Sequence, residues 1–109
     1  MNCLQNENVK AMFKLSDNQQ AFNEFAIATT GNQQKINIID RLIISEELAW
    51  IIDFKTQGNV SKDNARQLAQ THIPQLSRYK QAVALLYPGL PIRCSVVFTR
   101  LPALVDLEI

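Results

Sequence analysis

The apolar positions of the chain fall into short runs that alternate with polar segments, and they predict a sheet with helices packed on it. Residues 21–28 carry Phe22, Phe25 and Ile27 and read as a strand, followed by the glycine-containing turn TTGNQQ. Lys35–Ile44 and residues 48–55 are rich in β-branched and aromatic side chains, which suit a pleated surface, and read as two more strands. Pro74 fits the first turn of a helix, along which Leu76, Tyr79, Val83, Leu86 and Tyr87 recur as one buried stripe. YPGLP ends that helix; residues 92–99 and, after Pro102, Ala103–Leu107 are the last two strands. Asn6 or Asn8 caps a short helix through Val9, Met12 and Phe13. Residues 63–71 read as a short helix or an irregular segment. The order is helix, three strands, helix, two strands, an α/β or α+β arrangement.

Two of these strands carry charge in mid-run, where an unpaired buried ion is very costly. In Lys35–Ile44 the even positions Ile36, Ile38, Asp40, Leu42 and Ile44 share a face, so Asp40 interrupts an apolar row. In the next strand Trp50, Ile52 and Phe54 share one face, and Ala49, Ile51, Asp53 and Lys55 the other. Asp53 and Lys55 therefore point the same way, roughly 6.6 Å apart along the strand. A hairpin with Glu46 and Glu47 at its tip pairs Ser45 with Leu48, and the same register sets Asp40 opposite Asp53, with Cβ atoms about 4.5–5.5 Å apart.

Facing carboxylates repel unless something positive lies between them. A hard divalent cation is the usual solution, and Mg²⁺ takes one or two carboxylates together with waters and substrate phosphates. The Lys55 ammonium beside it suits orienting a water or stabilising a developing oxyanion. Metal, amine and open coordination sites together describe phosphodiester hydrolysis. Taken alone, the same residues also fit blander readings: Asp53 and Lys55 as a surface pair, and Asp40 paired with Arg41 or Lys35 or capping a bulge. A three-residue turn at Gly31, Asn32 and Gln33 sets Glu24 opposite Asp40, making it a third candidate metal ligand. A charge that guards an edge strand against aggregation is the rival reading of Glu24.

Composition narrows the setting. The 109 residues are 47% hydrophobic and 19% charged with a net charge of +1, which is one globular domain without a global basic footprint. Contact with nucleic acid would have to come from local cations, of which Lys35, Lys62, Arg66, Arg78 and Lys80 are candidates, and would be salt-sensitive. Cys3 and Cys94 form no metal or disulfide framework, which points to a reducing compartment. No apolar run approaches the ~20 residues that span a bilayer, and MNCLQNENVK lacks the layout of a signal peptide. A cytoplasmic protein without a membrane partner is expected.

IIDRLI, WIIDFKT and PQLSRYKQAVALLYPGLPI, in this order, resemble the nuclease domain of the RecB-like PD-(D/E)XK family, found at the C-terminus of helicase–nuclease repair proteins. The family pattern is G-x-I-D-R, then I-x-D-Y-K-T, then Q-x-x-x-Y, then a strand ending in F-T. Asp40, Asp53, Lys55, Thr56, Gln75 and Tyr79 match it directly, and VVFTRLPALVDL resembles the closing hairpin. The resemblance covers residues 21–109. It implies a restriction-endonuclease-like core, a mixed sheet flanked by helices, spanning residues 1–109 as a single domain.

It also implies a DNA nuclease of exonuclease type, dependent on Mg²⁺ or Mn²⁺ and joined to a helicase domain or subunit in repair or recombination. Asp40 and Asp53 would ligate the metal with the Phe54 carbonyl, Lys55 would be the catalytic lysine, and Gln75, Tyr79 and Thr56 would support the site or contact substrate. Tyr79 belongs equally to the apolar stripe. Asn37 and Phe54 replace the family's glycine and tyrosine, and the upstream helix with its metal-binding histidine is mostly missing. His72, the single histidine, reads as a surface or packing residue. A catalytically weak, nuclease-derived module that binds DNA or a helicase is the alternative.

Overall fold

The computed structural model describes residues 3–4, 19–29 and 35–109. Its elements are β1 (Cys3–Leu4), β2 (Gln20–Thr29), β3 (Lys35–Ile44), β4 (Ala49–Lys55), α1 (Ala65–Gln70), α2 (Ile73–Leu86), β5 (Ile92–Phe98) and β6 (Ala103–Leu107). The six strands form one sheet in the order β1-β6-β5-β4-β3-β2. Only β4 and β5 pair in parallel; the other ladders are antiparallel. This is a mixed α+β sheet, as the alternation of apolar positions implies. The expected helix near Val9 and the turn at Gly31 lie outside the described residues.

The β3–β4 hairpin has the register inferred from its length, Ile44 opposite Ala49 and Arg41 opposite Ile52. Glu46 and Glu47 suit a tight turn poorly, so the turn is closed by Ser45. Its amide donates to the Leu48 carbonyl at 2.9 Å, and its hydroxyl accepts from the Leu48 amide at 3.1 Å. Parallel β4 and β5 cannot be joined by a tight turn, and the crossover between them carries both described helices. Residues 63–71 thus contain a one-and-a-half-turn helix, α1, which buries Ala65 and Ala69.

Both helices pack on one face. Leu76, Tyr79 and Val83 of α2 join Leu42, Ile51, Val96, Phe98 and Val105 of the sheet in one buried cluster. Burying such a side chain fully contributes about 1.5–3 kcal/mol. Ile43, Ile52, Val97 and Leu104 form a second cluster on the opposite face. The apolar stripe of α2 is shorter than its spacing implies. Leu86 is 55% exposed and Leu85 78% exposed, whereas Tyr87, just past the helix end, still packs against the core. Gly89, at φ 84, supplies the left-handed residue of the turn that follows.

The β2–β3 ladder also keeps its expected register, Asn23 opposite Arg41 and Phe25 opposite Ile39, yet it is interrupted between these pairs. Glu24 there has φ 54, in the left-handed region that a side chain disfavours. Strict alternation would send Ile39 and Leu42 to opposite faces, but both join the helix-side cluster, as do Phe22 and Phe25. The faces of both strands therefore switch at Glu24 and Asp40. The even positions of β3 are not one apolar row: Leu42 is buried and Ile38 is 52% exposed. Asp40 stands at the switch.

Candidate active site

The β3–β4 ladder ends at Arg41 and Ile52, and the next pair in that register is Asp40 and Asp53. Asp40 Oδ2 accepts the backbone N–H of Phe54 at 2.8 Å, so a side chain takes an amide of the diverging strand. The Lys55 carbonyl accepts from the Thr99 amide on the β5 side at 2.9 Å. Carbonyls alternate sides along a strand, so the Phe54 carbonyl faces the β3 side, where Asp40 lies. Two carboxylates and a main-chain carbonyl thus converge where the strands part, at the carboxyl end of a parallel pair. Such ends are where open α/β sheets place ligands.

Asp53 is buried, at 3% exposure, on the helix side of β4. Burial pushes its carboxyl up to about 6; the Lys55 ammonium opposes this rise, and the adjacent Asp40 carboxylate adds to it. Lys55 Nζ lies 2.9 Å from Asp53 Oδ2. The contact is one of charge rather than alignment, since buried Oδ2 has no hydrogen-bond partner. The ammonium instead donates to Gln75 Oε1 at 3.1 Å. Gln75 Nε2 donates to the Tyr79 hydroxyl at 2.9 Å, and that hydroxyl donates to the Ile38 carbonyl at 3.1 Å. One face of α2 therefore connects the lysine of β4 to β3, two residues before Asp40.

The residues singled out in the sequence separate into groups. Asp40, Asp53, Phe54, Lys55, Gln75 and Tyr79 come together. Tyr79 is 3% exposed and its hydroxyl is committed at both ends, so it supports the site and does not face a ligand. Burial raises its pKa above the ordinary tyrosine range. Thr56 is exposed at the exit of β4. Glu24 is not brought in: it is exposed, its backbone conformation breaks the ladder opposite Asp40, and no three His, Cys, Asp or Glu side chains among the described residues could hold a metal ion. Asp40 caps the Phe54 amide where the ladder parts, close to the bulge-capping reading; Arg41 is buried and donates to Asn23 Oδ1 at 2.7 Å, and the Lys35 side chain lies outside the described residues.

Lys62, Arg66 and Arg78 are exposed, whereas the Lys80 ammonium donates to the Ile109 carbonyl. His72 sits where a surface or packing residue would, with one polar contact beyond that reading. It is half-buried at the start of α2, with Nε2 3.1 Å from Gln57 Oε1. Burial and the nearby Lys55 charge lower its pKa. Its spacing, one helical turn before Gln75, was the available signal.

An all-oxygen set with a buried carboxylate oxygen lacking a hydrogen bond fits a hard divalent cation. A cation there would offset the repulsion of the two acids. No described helix is long and apolar enough to cross a membrane. No curated protein matches the chain. The family model that does match is the nuclease-related domain, NERD, over residues 4–99, most of the chain, and the chain belongs to this nuclease-related domain family.

Proposed function

We propose that this chain is a metal-dependent DNA nuclease module, RecB-like in type, that hydrolyses phosphodiester bonds. Its setting is a cytoplasmic ATP-dependent helicase–nuclease of DNA repair or recombination, with the helicase as an attached domain or separate subunit and exonuclease action favoured. The observation that carries the reading is the buried Asp53 beside Asp40, with one oxygen lacking a hydrogen bond and Lys55 alongside. The family membership supports the nuclease part; the ordered motifs IIDRLI, WIIDFKT and QLSRY support the helicase association.

Asp40, Asp53 and the Phe54 carbonyl would hold Mg²⁺ or Mn²⁺. When bound, such an ion polarises the phosphodiester and lowers the pKa of a water. Lys55 directs its ammonium at the charge that develops on the phosphoryl oxygens, and Gln75 and Tyr79 fix its aim. Buried Asp53 keeps the ammonium close, at 2.9 Å. Thr56, exposed at the exit of β4, would contact the nucleic-acid backbone, and Gln75 would support the site or join that contact.

Cleavage of single- and double-stranded DNA, with and without Mg²⁺ or Mn²⁺, tests the reading. Asp53→Ala and Lys55→Ala should each abolish turnover; metal-dependent cleavage that both variants retain would discard the site. A second reading, a nuclease-derived module that binds DNA or a helicase without turnover, is favoured by one observation: only two carboxylates converge among the described residues. It predicts DNA or helicase binding by the wild-type chain without cleavage, and no metal binding by calorimetry.

A further inference from the structure

The first turn of α2 holds the exit of β4 at two points. Gln75 accepts the Lys55 ammonium at 3.1 Å. One turn earlier, His72 Nε2 lies 3.1 Å from Gln57 Oε1, two residues beyond Lys55. An amide oxygen only accepts, so the imidazole donates through Nε2–H. Gln57 Nε2 donates to Asn59 Oδ1 at 3.2 Å, leaving Oε1 toward the imidazole. The loop is tied further along by Asn64, which donates to the Asn59 carbonyl at 2.9 Å and accepts from the Ser61 amide at 2.7 Å. The loop that follows the lysine is therefore anchored to α2 through His72.

We propose that His72 is a positioning residue for Lys55, holding the main chain just beyond the lysine through Gln57 while Gln75 holds the ammonium itself. The inference rests on the reading of Lys55 as the catalytic amine. A neutral donor suits the place, because the positive end of the 14-residue helix and the Lys55 charge both disfavour a second cation there. With the loop released, Lys55 keeps its bond to Gln75 and its carbonyl keeps the Thr99 amide, but the chain from Thr56 onward gains freedom and the lysine is steadied from the β5 side alone. The ammonium then samples positions away from Asp53. Leucine at position 57 should have the same effect, since it removes the acceptor and leaves the histidine in place.

The test follows the Lys55 ammonium directly, by its proton exchange with water in ¹⁵N-detected NMR, alongside DNA cleavage. His72→Ala and Gln57→Leu should each speed exchange roughly fivefold, the size of one lost hydrogen bond, and the double variant should do no more than either alone. His72→Gln, which keeps a donor, should restore slow exchange. In cleavage, kcat should fall by a similar factor with KM unchanged. Unaltered exchange at Lys55 in His72→Ala, or additive effects of the two substitutions, would overturn the inference. A wild-type chain that cleaves no DNA sinks the nuclease reading instead, and the exchange measurement still decides whether His72 holds the lysine.

Discussion

Asp53 and Asp106 sit on neighbouring parts of one sheet, one on each face, and the chain treats them in opposite ways. Asp106 is fully served. Arg93 donates to both its oxygens, at 2.7 and 2.9 Å, and the Ser95 hydroxyl donates at 2.5 Å. The cluster is closed by the Trp50 indole N–H on Ser95 at 2.8 Å and by the Arg93 guanidinium stacked 4.0 Å from the Trp50 ring centre. Asp53 is more deeply buried, faces a second carboxylate, and has one oxygen without a hydrogen bond. A carboxylate that only holds strands together finds its donors within the fold. One whose buried oxygen has a lysine beside it but no aligned hydrogen bond, next to a second acid, suits a further positive group.

The contrast can be broken most sharply by neutralising each acid. Asp53→Asn should lower cleavage at least ~10³-fold, about 4 kcal/mol of transition-state stabilisation, whereas Asp106→Asn should leave kcat/KM within about twofold. Equal losses in both variants would erase the distinction. Stability should invert the order. Asp106→Ala strands the buried Ser95 hydroxyl and the Arg93 fork and should cost about 2 kcal/mol in urea unfolding, while Asp53→Asn should stabilise the metal-free fold near pH 7.

The pH dependence of metal-free stability sharpens the same point. The folded Asp53 holds its proton up to about 6, above the ordinary 3.8. Its contribution is therefore fully favourable below about pH 4 and is lost as pH rises through 6, by on the order of 3 kcal/mol. Asp53→Asn should flatten that slope, and added Mg²⁺ or Mn²⁺ should stabilise the wild type at neutral pH but not the variant; an unchanged slope would remove the claim of a strained acid. The smallest expected effect is that of Trp50→Phe, about 1 kcal/mol of stability with no change in cleavage, measured by thermal unfolding and initial rates.

Much of this was legible in the sequence, for identifiable reasons. Side-chain alternation is rigid in a strand, so once an even-length turn was assigned at Glu46 and Glu47 the pairing of Asp40 and Asp53 followed. The limits of β3 and β6 were legible because β-branched runs end at polar or proline residues. Glu24 shows where such reasoning fails: its register is as counted, but one left-handed residue re-aims two strands, and nothing in a glutamate announces a positive φ. Its exposure was equally hidden, as was that of Leu86, which shares the stripe by spacing but not the buried face. The bond from Gln75 to Lys55 spans the crossover. The four-residue spacing of Gln75 and Tyr79 put both on one helix face, but not what that face would grip. His72 was set aside for the same reason.

The single parallel ladder, β4 with β5, also orders events in time. The two acids come from a hairpin whose strands meet across a four-residue turn, a contact that closes locally and fast. The residues that steady the lysine all ride on the long connection between β4 and β5, which must swing over the sheet before β5 can dock. During folding the acids therefore meet first and wait, mutually repelling, for their helical support. If the proposed cation binds there, its capture at that moment would favour the hairpin before the rest of the domain has condensed.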